Sequence, residues 1–416
     1  MDFTQYQMIN RYERIRALPE SELDRRWATI RDLMKKHDVN VMVFANTSEN
    51  GTSLWLLGAS NKHPDYIIFP MDDTPVAIYS GKSQTNGQFN PYVFVGRTRI
   101  EPGAYGKVKN ANEFSSEMVC RYVSKDKARI GFSHPSAMDV TFRRKLLSAM
   151  PNLEIIDMTH EISRARSIKS LYDIEICKAS AEMHRIFLEA VPSIVRPGRT
   201  QKDVNNDLRK LAMDFGSGGE DMCLMMKIVD KYHNRRLATP WSAMQNRRFQ
   251  NDDMFWILLE TSGPGGQFCA NARYWSFTEP SKEFSDRLHV AVKAQEMAGE
   301  LLRTGVTIRS VADTVNAFIR ASGYYTDNCC FIHSLGYAMG EYPMLSDNSV
   351  ATDPKSIDED EPLQNGTIMI AHPQVGIAGK GKIPRQDMVL VIDTYMIEDK
   401  GTAHMTKAPR GLYLIG

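Results

Sequence analysis

The stretch FWILLETSGPGGQFCANARYWSF, residues 255–277, decides how the rest of the chain is read. Ile257, Leu258 and Leu259 make an apolar run that ends on Glu260. Gly263, Pro264, Gly265 and Gly266 then supply a turn, and a second apolar-rich strand follows, so the segment is expected to form a β-hairpin. A carboxylate closing an apolar run has two readings: a strand-end charge that meets solvent at the turn, or a functional group held among apolar neighbours. On the second strand, Arg273 follows Asn271 by two residues, and the strand period places both on one face.

Working outward, 416 residues with 42% hydrophobic and 24% charged side chains suffice for two domains of ordinary size. Lysine plus arginine (51) balances aspartate plus glutamate (50). That balance gives no field for nucleic acid or an anionic membrane surface, and a small-molecule partner is expected. The N-terminal residues MDFTQYQMINRYERIRALPESELDRRW lack the basic, apolar and small-residue sections of a secretion signal. No apolar run approaches the ~20 residues that span a bilayer, so a cytoplasmic location is expected. The cysteines, Cys120, Cys177, Cys223, Cys269 and the adjacent Cys329 and Cys330, lack paired metal-ligand spacing and read as core or free thiols.

In chain order, Leu23, Trp27, Ile30 and Met34 recur three or four apart and predict a helix over 20–37. Short strands are expected at 39–46, 65–71, 75–81 and 92–97, then helix–strand pairs at 112–123 with 128–133 and at 138–150 with 153–158. The segment RARSIKSLYDIEICK (164–178) leads into a helix whose Ile174, Cys177 and Ala181 share one face.

That segment resembles the linker and first helix of the creatinase and prolidase superfamily. The resemblance continues through RPGRTQKDVNNDL (196–208), the hairpin, RTGVTIRSVADTVNAFI (303–319) and KAPRGL (407–412), and so covers nearly the whole chain. It implies an α/β (α+β) fold: a small N-terminal mixed α/β domain, residues 1–163, and a pita-bread C-terminal domain, residues 164–416. It also implies a homodimer in which Trp55, within SENGTSLWLL, reaches the partner's pocket.

Metal-dependent members of that superfamily hold two divalent ions with two aspartates eleven residues apart on the hairpin, a histidine and two glutamates. Carried over residue by residue, the aspartate positions are Glu260 and Asn271, and the histidine is His333 in IHSLGYAMGE. The glutamate positions are His372 in AHPQV and Gln386 in PRQDMVLV. This set carries one negative charge, too little for two ions bridged by carboxylates, and no metal is expected. The alternative is a single divalent ion on Glu260, His333 and His372.

The resemblance is therefore to the metal-ligand-depleted branch that includes creatinase and ectoine hydrolase. It implies metal-independent cleavage of a carbon–nitrogen bond in a small nitrogen-rich carboxylate compound. Glu260 would act as nucleophile or general base, with His333 and His372 as acid or base. Asn271 and Gln386 would hydrogen-bond the substrate, Arg273 would clamp its carboxylate, and Glu341, His233 and Trp241 would line the pocket. The histidine usual upstream of the hairpin falls near Ala243 and Met244, and a second one after His333 is replaced by Gly340. Those departures leave open a lyase working by proton abstraction, a mononuclear metal hydrolase or Xaa-Pro peptidase, and a non-catalytic binding protein.

Overall fold

The computed structural model describes residues 18–45, 51–58, 64–79, 92–95, 98–100, 111–123, 128–217, 223–229, 236–237, 247–326, 331–345, 361–381 and 388–415. One compact unit spans Leu18–Arg166, and a second begins at Ser167. The division lies three residues past the expected 163/164, because the helix Thr159–Ser167 runs through that point without a break.

In the first unit, helix α1 (Glu20–Lys36) buries Leu23, Ile30 and Met34 at the predicted spacing. Then come β1 (Val41–Ala45), α2 (Thr52–Leu57), β2 (Tyr66–Pro70), β3 (Val76–Tyr79), β4 (Tyr92–Val95) and β5 (Thr98–Ile100). After these follow α3 (Ala111–Tyr122), β6 (Arg129–Ser133), α4 (Val140–Ala149), β7 (Glu154–Asp157) and α5 (Thr159–Ser167). The described strands form one sheet in the order β5-β4-β3-β2-β1-β6-β7. It is antiparallel on the β2 side of β1 and parallel on the β6 side. Every residue of β1, β2 and β3 is buried, as a strand covered on both faces requires.

The second unit starts with α6 (Leu171–Ile194), entered through a capping box in which Ser170 and Asp173 satisfy each other's backbone N–H. Next are α7 (Gln201–Asp214), β8 (Cys223–Val229), β9 (Arg236–Leu237), β10 (Met254–Ser262), β11 (Phe268–Ser276), α8 (Lys282–Leu301) and α9 (Ile308–Ala321). The last elements are β12 (Phe331–Ser334), β13 (Glu341–Leu345), β14 (Ile368–His372), β15 (Asp393–Glu398), β16 (Gly401–His404) and β17 (Leu412–Leu414). They form two sheets, β17-β11-β10-β8-β9 and β13-β12-β14-β15-β16, joined by an antiparallel bridge between Ala272 and Ile392.

Each sheet is backed by helices on one face. Phe187, Leu188 and Val191 of α6 and Val204, Leu208 and Ala212 of α7 share a core with Leu224, Met226, Phe255, Ile257, Leu259 and Trp275. On the second sheet, Tyr395 lies under α8 at Gly299, where a Cβ would stand 2.6 Å from the ring. The other face of the hairpin, with Trp256, Leu258, Ala270, Ala272 and Tyr274, shares a core with Ala291 and Ala294 of α8.

Candidate active site

The hairpin β10–β11 forms as the sequence predicts, with Gly265 and Gly266 at φ of +87° and +89° in its turn, a conformation glycine adopts without a steric cost. Its register is regular from Met254↔Ser276 to Ser262↔Phe268 and places Leu259 opposite Asn271 and Glu260 opposite Ala270. Directly opposed residues point to the same face, and neighbours along a strand alternate. Opposed numbers here share parity, so two residues eleven apart across this hairpin face opposite ways.

The contacts agree with that parity. Asn271 and Thr261 meet α6: His184 Nδ1 lies 3.1 Å from Asn271 Oδ1, and His184 Nε2 lies 3.3 Å from Thr261 O. Thr406 Oγ1 donates to Asn271 Oδ1 at 2.7 Å. Burial lowers the pKa of His184 to about 4 against the opposing pull of those two oxygens. Asn271 is thus a fully buried residue on the helix side, and its expected contact with substrate beside Glu260 is corrected.

Glu260 lies on the other face with Leu258, Ala270 and Ala272, the two alanines leaving little side chain in front of it. Among the described residues, no hydrogen bond or ion pair meets its carboxylate. It is partly buried, and desolvation by the surrounding apolar wall raises its pKa to about 8.

On the second sheet, His333 is opposite Ile370, and His372 is opposite Phe331, so both histidines share one face. Ala371 is opposite Asp393 and Met369 opposite Tyr395, which puts those four on the α8 side. The histidine rings stack at 5.3 Å between centroids with 16° between planes. His333 Nδ1 lies 2.9 Å from Ser334 O. A carbonyl can only accept, so Nδ1 carries the proton and Nε2 the lone pair. Burial, only partly offset by that carbonyl, lowers the His333 pKa to about 4. Glu260 therefore lies on the hairpin face opposite α6 and α7, the face whose Tyr274 packs on Phe284 of α8, and His333 and His372 lie on the face of the second sheet opposite Tyr395.

The other expected contacts resolve differently. Arg273 is completely buried, and its five N–H groups are all committed within the protein. Nε donates to Pro409 O at 2.7 Å, Nη1 to Ala272 O at 2.9 Å and Ile392 O at 2.8 Å, and Nη2 to Asp393 Oδ1 at 2.5 Å and Ala408 O at 3.2 Å. No donor is left to clamp a substrate, and that expectation is corrected. Glu341 is also engaged internally: Lys169 Nζ donates to Oε2 at 2.8 Å and Tyr337 N to Oε1 at 2.8 Å. Trp55, in the first unit, is 3% exposed, with the guanidinium carbons of Arg26 and Arg166 5.8 Å and 6.0 Å from its ring. Its ring is packed rather than presented, contrary to the expected lid contact. Gln386, His233 and Trp241 lie outside the described residues.

Asp393 escaped the sequence reading, although it closes the run LVID much as Glu260 closes ILLE. Burial alone would raise its pKa, but Arg273, His404 at 3.1 Å and Arg410 hold its carboxyl well below the ordinary range.

Among the described residues, no group of three or more His, Cys, Asp or Glu side chains is placed to hold a metal ion. The donors at the positions carried over bring, among the described residues, one carboxylate, too little charge for a pair of divalent ions. Glu260 is the one carboxylate on its face of the hairpin, Asn271 is on the opposite face, and the histidines stack on each other. No helix of the described residues is long and apolar enough to cross a membrane.

Comparison with known proteins gives a model of metallopeptidase family M24 that matches residues 175–393, just over half of the chain. An uncharacterized hydrolase/peptidase of Sinorhizobium fredii is 24% identical over 376 residues, 86% of this chain and 85% of that protein. Among solved structures, an Xaa-Pro dipeptidase from Bacillus anthracis is 15% identical with a TM-score of 0.69, covering 94% of this chain and 99% of that one. A prolidase from Pyrococcus horikoshii OT3 is 18% identical with a TM-score of 0.68, covering 93% and 99%. At these identities the structural likeness speaks for the pita-bread fold.

Proposed function

The chain belongs to metallopeptidase family M24, and on that premise we propose that it is a hydrolase that has left the family's metal chemistry. In this reading it cleaves a carbon–nitrogen bond of a small, nitrogen-rich carboxylate compound with side chains alone. One observation carries the reading: Glu260 is a carboxylate with no hydrogen bond or ion pair among the described residues, set in an apolar wall that raises its pKa to about 8.

Such a group suits proton transfer near neutral pH. As the anion, Glu260 takes a proton from a water molecule while the water oxygen bonds to the electron-poor carbon. The carbon–nitrogen bond then breaks, and the same carboxyl returns its proton to the departing nitrogen. His333, neutral above pH about 4, has no proton on Nε2 to give. Its Nε2 can act only as a hydrogen-bond acceptor, and His372 is stacked beside it. The ionised fraction of Glu260 grows as pH rises through about 8, so a rate limited by proton removal from water climbs over that window. A homodimer in the cytoplasm belongs to the same proposal.

The test pairs metal analysis of untagged protein with a panel of creatine, ectoine and guanidino acids. Expected are well under one equivalent of transition metal, turnover insensitive to chelator, and a loss on the order of 10²–10⁴-fold in Glu260→Gln. The likeness to an Xaa-Pro dipeptidase and a prolidase favours a second reading, metal-dependent peptide cleavage. Two bound metals with hydrolysis of Xaa-Pro dipeptides would establish it and end the first.

A further inference from the structure

We propose that Lys169 and Glu341 are positioning residues that hold His333 in the tautomer with its proton on Nδ1. The carbonyl that fixes this tautomer belongs to Ser334, the next residue, and β12 slips register against β13 between His333 and Ser334. Where that carbonyl points therefore depends on the loop that follows, residues 335–340.

The loop is fastened from several sides. Leu335 N donates to Ile368 O at 3.0 Å, and Gly336 O accepts from Phe268 N at 2.7 Å. Glu341 passes directly beneath: a Cβ on Gly336 would stand 2.0 Å from its Oε2, so only glycine admits the carboxylate there. One carboxylate oxygen takes the Tyr337 amide and the other the Lys169 ammonium, both at 2.8 Å, with the Lys169 and Glu341 side chains 2% and 7% exposed.

Two further anchors set the Lys169 side. Lys169 N donates to Gly366 O at 3.1 Å. The Tyr337 hydroxyl donates to Asp173 Oδ1 at 3.0 Å, and Gln267 Nε2 reaches the same oxygen at 3.1 Å. The start of α6, the hairpin turn and the loop are thus tied around a single ion pair. Ordering an ion pair in so dry a place costs solvation. Glu341 pairs with Ser334 across β12 and β13, and this gives the ion pair a task beyond stability, which is to fix the backbone that dictates which ring nitrogen bears the proton.

This deepens the proposed hydrolysis and takes its catalytic meaning from it, but its test needs no substrate. In full-length protein labelled with ¹⁵N-histidine, long-range ¹H–¹⁵N correlations identify the protonated ring nitrogen, with His333→Gln assigning the resonance. The expected wild-type pattern is a protonated Nδ1 and an unprotonated Nε2. Glu341→Met is expected to lose that pattern to averaging between tautomers. Because the single change removes the carboxylate that faces Lys169, the double variant Lys169→Met with Glu341→Met, an apolar replacement of similar size, is measured beside it, with circular dichroism to confirm folding. A protonated Nε2 in the wild type, or the wild-type pattern retained in the folded double variant, overturns the proposal. Absence of hydrolysis would defeat the proposed function and leave this tautomer result standing.

Discussion

Glu260 and Asp393 are two carboxylates in the same kind of sequence, each closing an apolar run, and the fold treats them in opposite ways. Asp393 is surrounded by Arg273, Arg410 and His404 and remains ionised far into acid. Glu260 has no hydrogen bond or ion pair among the described residues, and burial raises its pKa to about 8. Burial pushes both upward, and the partners alone decide the sign. A carboxylate supplied with cations is part of the frame. One that meets none among the described residues titrates near neutral pH, which is what the proposed proton transfer requires.

Removing the charge of Asp393 should have the largest effect. Asp393→Asn strands the wholly buried Arg273 guanidinium, which is expected to cost about 3–5 kcal/mol, measurable by urea unfolding. A loss below about 1 kcal/mol would mean that the network is dispensable and would remove the contrast with Glu260. Arg410→Met should cost less, about 1.5–3 kcal/mol, because Arg273 and His404 still face the carboxylate. The Asp393 contribution is present above its ordinary value of 3.8 and is lost as pH falls below it.

The smallest effect should carry the opposite sign. The folded state binds the Glu260 proton more tightly than the unfolded chain, so Glu260 costs stability increasingly as pH rises from 4.5 to about 8. Glu260→Gln is therefore expected to melt at the same temperature as wild type near pH 4 and above it at pH 9. A melting temperature at pH 9 equal to or below that of wild type would show that Glu260 has a cationic partner after all, and the comparison would collapse.

Much of the fold was legible because it depends on local pattern. The apolar spacing of Leu23, Ile30 and Met34 gave α1, and the turn of Gly263, Pro264, Gly265 and Gly266 gave the hairpin. The candidate site was legible in part. His333 and His372 do meet ring to ring, while Asn271, Arg273 and Glu341 could not be read correctly because their partners are far away in sequence. Arg273 and Asp393 are 120 residues apart, and Lys169 and Glu341 are 172 apart. Spacing along the chain says nothing about which side of a sheet a residue takes until the register is known. The rule that failed for Asn271 was a spacing of eleven carried over without the register. The signal for Asp393 was in plain view, since the same charge at the end of an apolar run had already marked Glu260.

The hairpin register has a consequence for any attempt to reverse the change at position 271. Asn271→Asp would supply the residue that the superfamily resemblance implies at this position but would deliver it to His184 and Thr406, behind the sheet. Turning it toward Glu260 requires β11 to slip by one residue, and a slip turns every side chain of that strand over. Trp275 would leave its core, and Arg273 would leave Asp393. In this register a carboxylate at 271 joins the buried group of His184, Thr406 and Asp393.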